Sequence, residues 1–569
     1  MAEAKPESRA GHPGDDELVF MALGGLGEIG MNVYLYGIGP EQARRWLMVD
    51  LGLTFPGEAE PGVDVVLPDL RFIEEERSAL AGIVVTHAHE DHIGAIVDLW
   101  PRLGVPIYAT PFTAGMLRSK FHEFGNKVKL PITVVEMGAR FNVGPFDVEL
   151  VTMSHSIPEP SGVILRTPHG NVFHTGDWKL DREPLVGGPT DEAKIQALGA
   201  EGVRALVCDS TNAFRDGRSP SETEVAASLT RIIGKAKRRV AITTFASNVA
   251  RIRAASDAAK ATGRQLVVAG RALHRVIQVA MDTGYLPEDF SYLDQQRASY
   301  LERDQVLILC TGSQGESRAA MARIAEDQHP DIELSRGDTV IFSSRTIPGN
   351  EKTVGKVQNN LALLGVNVIT DADALVHVTG HPRREELKEM YGWLKPAVAI
   401  PMHGEARHLR EHAALARAAG VPHVHAITSG DMIRLGPDPV GIVDQAPVGR
   451  LYRDGHLIVP ADGPVRERRR LSHVGIVVVA LTLNRRGDLL AEPELSLDGI
   501  PAETADGVPM EEVAYTAVDG TMRSLPAGKR RDIELVRDAV RRSVRAAIDL
   551  TWGKKPVAKV LISVVDDRD

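Results

Sequence analysis

The sequence predicts an α/β protein: a layered α/β domain, a second parallel α/β unit inserted into it, and a small α+β domain at the C-terminal end. Three observations carry this. Apolar, β-branched runs recur, and five of those before residue 219 end in histidine or aspartate. Near residue 219 that pattern gives way to strands alternating with helices, and near residue 377 it returns. Past a Gly- and Pro-containing stretch at 449–470 come a strand pair, a long amphipathic helix and a last strand.

The bulk composition is that of a globular chain. Its 569 residues suggest about three or four domains of ordinary size. No apolar run is long enough to span a bilayer, so no membrane partner is expected. Residues 1–16 are polar, lack an apolar signal core and read as a disordered tail. The two cysteines, Cys208 and Cys310, each close an apolar run and read as buried strand residues. With no signal core and no cysteine framework, a cytoplasmic location is expected. The net charge of −10 does not favour nucleic acid as a partner, but a local basic groove decides that more than the total.

Taken in order, LVFMALG and MNVYLY read as antiparallel strands around Gly25-Leu-Gly27-Glu-Ile-Gly30. The glycines match a dinucleotide fingerprint literally. That fingerprint needs a helix next, and an alternating strand pattern follows instead, so they are read as a turn. RRWLMVDLG is a strand ending at Asp50.

The stretch IVVTHAHEDHIG follows, at 83–94. An apolar strand stops at Thr86, and His87, His89, Asp91 and His92 come before a helical pattern. Three imidazoles and a carboxylate within six residues suit zinc. His87 and His89, two apart on extended chain, face the same side and can grip one ion. Asp91 and His92 lie past the bend and can face a second. A single histidine would more often be an ordinary surface or core residue; the recurrence of the pattern argues otherwise. FDVELVTMSHSIP ends at His155, GNVFHTGDWKL at Asp177 and VRALVCDSTN at Asp209. In layered α/β folds, sites collect at one end of the strands.

Residues 17–218 are thus the first part of the layered domain, and 219–376 the insert. Ser221-Glu-Thr-Glu224 is a capping box that opens a helix. The insert strands end in Ser, Thr, Gly and Arg, types suited to phosphate oxygens, as at Ser343-Ser344-Arg345. Each one alone reads equally as a plain strand-to-helix turn. The layered domain resumes over 377–448, with His377 and His381 in HVTGH and His403 after AVAIPM. A linker is expected at 449–470 and the α+β domain at 471–569. That last domain shows no catalytic constellation, and its Arg541, Arg542 and Arg545 read as a solvated helix face.

These motifs carry a resemblance. HAHEDH, with His155, Asp177 and a leading Asp50, resembles the metallo-β-lactamase superfamily. CDST, TGSQGE, FSSRTIPGNE, HVTGH and PMHGE narrow this to the β-CASP nucleases, and the order and extra C-terminal domain look like bacterial ribonuclease J. The resemblance implies an αββα metallo-β-lactamase domain split by a parallel α/β β-CASP insert, plus a small α+β C-terminal domain. It implies two Zn2+ per subunit, one on His87, His89, His155 and Asp177, the other on Asp91, His92, Asp177 and His403. Mn2+ could substitute. Asp50 and Asp209 would orient those ligands. A structural Ca2+ near Asp50 and Gly52, with Asp444, is also implied.

The implied activity is 5′→3′ exonuclease and endonuclease cleavage of RNA in RNA maturation and mRNA decay. Two-metal hydroxide attack on the phosphodiester would leave a 3′-hydroxyl and a 5′-phosphate. Asp91, His381 and His377 are the catalytic candidates. His377, Val378, Thr379, Gly380 and His381, with Ser344 and Arg345, would grip RNA phosphates and prefer a 5′-monophosphate end. A homodimer or homotetramer through the C-terminal domain is implied. Two other readings share parts of this pattern: a thioester or lactam hydrolase of the same superfamily, which needs no cap of about 150 residues, and a non-catalytic RNA-binding scaffold, which needs no intact ligand set.

Overall fold

The structure is a computed structural model that describes residues 16–565, apart from 124 and 126–129. The expected tail at 1–16 lies, except for Asp16, outside the described residues. The chain forms two compact units: residues up to 55 with 66–450, and 56–65 with 451–569.

Alternating apolar strands build the first unit as two sheets packed face to face. One has eight strands, in the order Gly441–Gln445, Asp431–Gly436, Glu17–Gly24, Val33–Gly39, Arg45–Val49, Leu80–Val84, Ile107–Ala109, Ile132–Val134. The other has seven: His423–Val424, Val398–Met402, Val203–Asp209, Gly170–His174, Ser161–Thr167, Phe146–Thr152, Arg140–Val143. Phe20, Tyr36, Leu47 and Val84 from the first sheet share one buried cluster with Val148, Val163, Val207 and Ile400 from the second. The opposite face of the second sheet packs Phe173, Leu206 and Ala399 against Ile195, Leu387, Met390 and Leu415. Those residues come from helices Glu192–Glu201, Arg384–Leu394 and Ala406–Ala418. The strands around the Gly25–Gly30 turn are antiparallel, with Phe20 opposite Tyr36, so no dinucleotide-type helix follows the glycines.

The insert has its own six-stranded sheet: Leu293–Asp294, Gln265–Ala269, Val306–Cys310, Val240–Thr243, Thr339–Phe342, Asn367–Ile369. Every pairing in it is parallel. The four inner strands are short, β-branched and, apart from Gln265, buried, as sheets covered on both faces require. Helix Glu222–Lys235 opens on the capping box: Thr223 N–H donates to Ser221 Oγ at 3.1 Å, and Ser221 N–H to Glu224 Oε2 at 2.8 Å.

The insert leaves and returns at one buried carboxylate. Glu386 accepts N–H groups from Leu180 at 2.8 Å, Ser219 at 3.0 Å and Arg383 at 2.8 Å. Both ends of the insert are therefore fastened beside the strand end that carries Asp177.

In the second unit, strands Glu494–Asp498, Ile476–Asn484 and Val557–Val565 form one sheet. Burial alternates strictly along the central strand. Helix Met510–Ser524 and helix Ile533–Trp552 cover its apolar face, the latter through Val536, Val540, Val544 and Ile548 at i, i+4 spacing. The expected linker at 449–470 is a correction. It holds a hairpin, Arg450–Asp454 with Leu457–Pro460, and the start of helix Pro464–Val474. Asp454-Gly455 between two apolar runs is a hairpin turn, and Pro464 occupies the first helical position, so the Gly and Pro residues punctuate structure. The loop at 56–65 ties to this hairpin, with Asp64 N–H donating to Arg453 O at 2.9 Å.

Candidate metal centre

Five strand ends and one helix start converge. His87 and His89 follow strand Leu80–Val84, and Asp91 and His92 lie in the short helix Glu90–Ile93. His155, Asp177 and His403 follow Phe146–Thr152, Gly170–His174 and Val398–Met402. His87, His89, His155 and Asp177 each bring one ligand atom within 4.8 Å of the others; so do Asp91, His92, Asp177 and His403; so do Asp177, Asp209 and His381. Asp177 is common to all three groups. Its Oδ2 lies 3.3 Å from His92 Nε2, 3.4 Å from His403 Nε2, 3.7 Å from His155 Nε2 and 3.8 Å from His87 Nε2.

The outer nitrogens of His87, His92 and His155 are tied down, which leaves their inner ones aimed inward and able to bind a metal. His155 Nδ1–H donates to Gly380 O at 2.6 Å. His92 Nδ1–H donates to Asp50 Oδ2 at 2.7 Å. Thr86 Oγ–H donates to the same oxygen at 2.8 Å and accepts from His87 Nδ1–H at 3.0 Å. Asp50 Oδ1 accepts Thr86 N–H at 2.8 Å. Asp50 and His403 hold left-handed backbone, φ 63° and 52°, and such strain in non-glycine residues gathers at sites that need a fixed aim.

Burial pushes His87 and His155 well below the usual imidazole range, and His89 down to about 4. These rings are neutral at neutral pH, the form in which imidazole can bind a metal. Burial opposes charge on His92 too, but Asp177, Asp91 and Asp50 outweigh it and raise His92 well above its usual range. For Asp177 burial acts upward, and the surrounding His403, His92 and His381 win, holding its carboxyl well below the usual range.

The donor set fits zinc. His89 Nδ1 stands 3.1 Å from both His87 Nε2 and His155 Nε2, so three ring nitrogens face one another, two of them on rings whose other nitrogen is already hydrogen-bonded. Asp177 Oδ1 is buried with no hydrogen-bond partner. Imidazole and carboxylate ligands in two sets of four are what two Zn2+ ions would take. An uncharged packing of this cluster would leave those groups orphaned.

The other residues singled out from the sequence divide. His381 joins the centre: its Nδ1–H donates to Asp209 Oδ2 at 2.7 Å, and its ring lies 5.1 Å from that of His155. Burial works against its charge, but Asp209 and Asp177 raise it to about 9. His377 does not join. Burial, and then Arg251, Lys179 and Arg345, lower it to about 3, and its Nδ1 is buried without a partner. As a general acid His377 is therefore a correction: at neutral pH it is the uncharged imidazole and carries no acidic second proton. Thr379 accepts from Asn212 Nδ2 at 2.8 Å, and Arg345 donates to Asn212 Oδ1 at 3.3 Å. Ser344 and Val378 are buried, so Val378 can offer only its main chain.

The Asp50–Gly52–Asp444 cation site is also corrected. Asp444 pairs with Met432 in the outermost strand, four strand positions from the one that ends at Asp50. At about 4.8 Å per strand that separates them by roughly 19 Å. Gly52 packs on Asp91 instead, where a Cβ would come within 1.6 Å of Asp91 O.

Sequence reasoning missed Asn32. Its Oδ1 accepts from His403 Nδ1–H at 2.9 Å and Tyr34 O–H at 2.7 Å, and its Nδ2 donates to Asp91 O at 3.0 Å. It therefore aims both the first and the last ligand of one quartet, Asp91 and His403. The only sequence signal is an amide inside the apolar MNVYLY run.

Comparison with known proteins agrees with this geometry. Residues 45–205 match the family model "Beta-lactamase superfamily domain", 237–361 "Ribonuclease J, beta-CASP domain", 365–426 "Zn-dependent metallo-hydrolase RNA specificity domain" and 463–565 "Ribonuclease J C-terminal domain". Ribonuclease J of Sinorhizobium meliloti is 50% identical over 552 residues, covering 97% of this chain and 98% of that one. This chain belongs to the ribonuclease J family. Ribonuclease J of Corynebacterium glutamicum is 38% identical, over 94% of this chain and 74% of its own. Ribonuclease J of Thermus thermophilus is 38% identical over 83% of each. A crystal structure of an Enterococcus faecalis protein of unknown function shares the fold, with TM-score 0.50 at 15% identity over 74% of this chain and all of its own. As a ribonuclease J, the chain is a metal-binding α/β protein with a β-CASP insert. Among the described residues, no helix is long and apolar enough to cross a membrane.

Proposed function

We propose that this ribonuclease J chain is a zinc-dependent ribonuclease that removes nucleotides 5′→3′ from 5′-monophosphate ends and also cuts internally. Two zinc ions per subunit would be held by His87, His89, His155 and Asp177 and by Asp91, His92, Asp177 and His403. The observation that supports this most is Asp177, one carboxylate shared by two ligand quartets with His381 beside it. A single-ion site would not need the sharing. Bound zinc supplies Lewis-acid charge and makes water acidic enough to ionise near neutral pH.

The chain's own residues would do the rest. Water attacks the phosphorus, and Asp91, the most open carboxylate of the centre at 30% exposure, takes its proton. The bond from phosphorus to O3′ breaks. His381, held at Nδ1 by Asp209, gives its Nε2 proton to the departing O3′. The products are a 3′-hydroxyl and a 5′-phosphate. The Thr379–Gly380 main chain, Ser344 and Arg345 hold neighbouring phosphates. Self-association through the C-terminal domain and a cytoplasmic location complete the reading.

A time course on one RNA carrying a 5′-monophosphate, a 5′-triphosphate or a 5′-hydroxyl, wild type beside His89→Ala, tests it. Mononucleotides released from the monophosphate form and absent with the variant are expected. Internal cuts alone would remove the 5′-end preference. Intact RNA in all three cases, from zinc-loaded wild type, would end the ribonuclease reading.

A further inference from the structure

We infer that Phe214, stacked on His408 and bordered by Arg215, Arg383 and Arg407, is a platform that receives one nucleobase of single-stranded RNA beside the metal centre. The inference deepens the proposed function and rests on it.

Phe214 is a large apolar side chain left 43% exposed. Its ring lies nearly parallel to that of His408, 17° between planes and 5.1 Å between centroids, and the Arg215 guanidinium stands 5.7 Å from it. The position is fixed, not flexible. Arg215 N–H donates to Asn212 O at 2.9 Å and Ala213 N–H to Ser210 O at 3.0 Å. Arg384 then clamps the loop from outside, donating its N–H to Arg215 O at 3.0 Å and Nη1 to Ala213 O at 3.2 Å. His408 is buried, and its Nδ1 accepts Glu405 N–H at 3.1 Å. A rigid, partly exposed aromatic ring is what base stacking needs, because stacking gains nothing if the ring must first be ordered.

Both halves of the platform sit on segments that leave the metal centre. Phe214 is five residues beyond Asp209, and His408 five beyond His403. Thr211 Oγ–H donates to His403 O at 3.1 Å and joins the two segments side by side.

Arginines gather around it, Arg215 and Arg383 among them, while Arg407 is paired with Glu405 at 2.8 Å. The charges acting on Arg345 are those of Arg215, Arg383 and Arg407 against Asp371. The Nε atoms of Arg215 and Arg383 are buried with no hydrogen-bond partner. Crowded guanidiniums with unused donors beside an open ring match a base and its flanking phosphates. An apolar peptide would leave those donors unmet. Asn212 joins the patch to the phosphate-gripping segment, since it contacts both Arg345 and Thr379.

The test uses a ten-nucleotide 5′-monophosphorylated RNA with 2-aminopurine placed at one position at a time, bound to the full-length protein. Stacking quenches this base. Wild type is expected to quench one position sharply. Phe214→Ala should lose that quench and bind about tenfold more weakly, and Phe214→Tyr should restore both. Arg383→Gln should lower the slope of log affinity against log salt by about 0.7. If wild type binds and cuts the RNA but quenches nowhere, or Phe214→Ala quenches as wild type does, the platform is wrong and the ribonuclease reading stands. If Arg383→Gln leaves the slope unchanged, the arginines are not part of it. If wild type neither binds nor cuts, both readings fall.

Discussion

Asn32 is the residue on which the second ligand quartet turns. Its amide aims His403 through Oδ1 and Asp91 through Nδ2. Asn32→Ala should weaken zinc binding about 10- to 100-fold, as is usual when a residue that orients a ligand is lost. Zinc content after dialysis against graded chelator would show it, with His87→Ala as the comparison. Gly380→Ala should be as damaging for a different reason. A Cβ there would stand 2.4 Å from His155 Nδ1, so the ring must turn away from the centre. Loss of zinc and of cleavage together is expected, with the melting temperature little changed. What the sequence showed of this centre is what one segment can show. Four of the residues lie within His87–His92, and the others stand at the ends of apolar runs. Asn32 was invisible because its partner is 371 residues away. Thr86 was visible only as the end of a strand, since its role depends on Asp50 across the sheet.

At the scale of elements, Glu149 links strands Phe146–Thr152 and Ser161–Thr167 to helix Glu192–Glu201. Its carboxylate, 6% exposed, accepts from Arg166 and Lys194. Burial acts to raise its pKa, but hydrogen bonds from Lys194 and Arg166 prevail and lower it. A depressed folded pKa gives stability that is fully present above the unfolded value and is lost as pH falls through the folded one. Wild type should therefore be about 1–3 kcal/mol more stable than Glu149→Gln at pH 7. The two should converge in acid, below about pH 4. Urea unfolding across that range checks it, and a gap that persists at low pH would count against the ion pair. Strands were legible wherever period or β-branching was clean, as in the insert. The hairpin at 450–460 was not, because its strands are short and half-buried, and its Gly reads equally as a linker.

At the scale of the molecule, each unit has a core of its own. Val477, Val479, Val540, Val544 and Ile548 build that of the C-terminal unit. Calorimetry should show more than one transition. Val544→Asp should lower only one of them, while chelation of zinc should lower the other; a single transition shifted by both would refute this independence. The order of assembly follows from the topology. Strand Val203–Asp209 lies between Gly170–His174, made before the insert, and Val398–Met402, made after it, and Glu17–Gly24 pairs with Asp431–Gly436. The insert stands between these halves in sequence, and Glu386 seals both of its ends. On a ribosome, the first 218 residues emerge carrying six of the seven metal-site residues but lacking His403. One quartet therefore stays incomplete until nearly three-quarters of the chain has been made. A polypeptide released early from a broken message would end short of that histidine. Such a fragment would hold the first ligand quartet without the second, an unarmed nuclease.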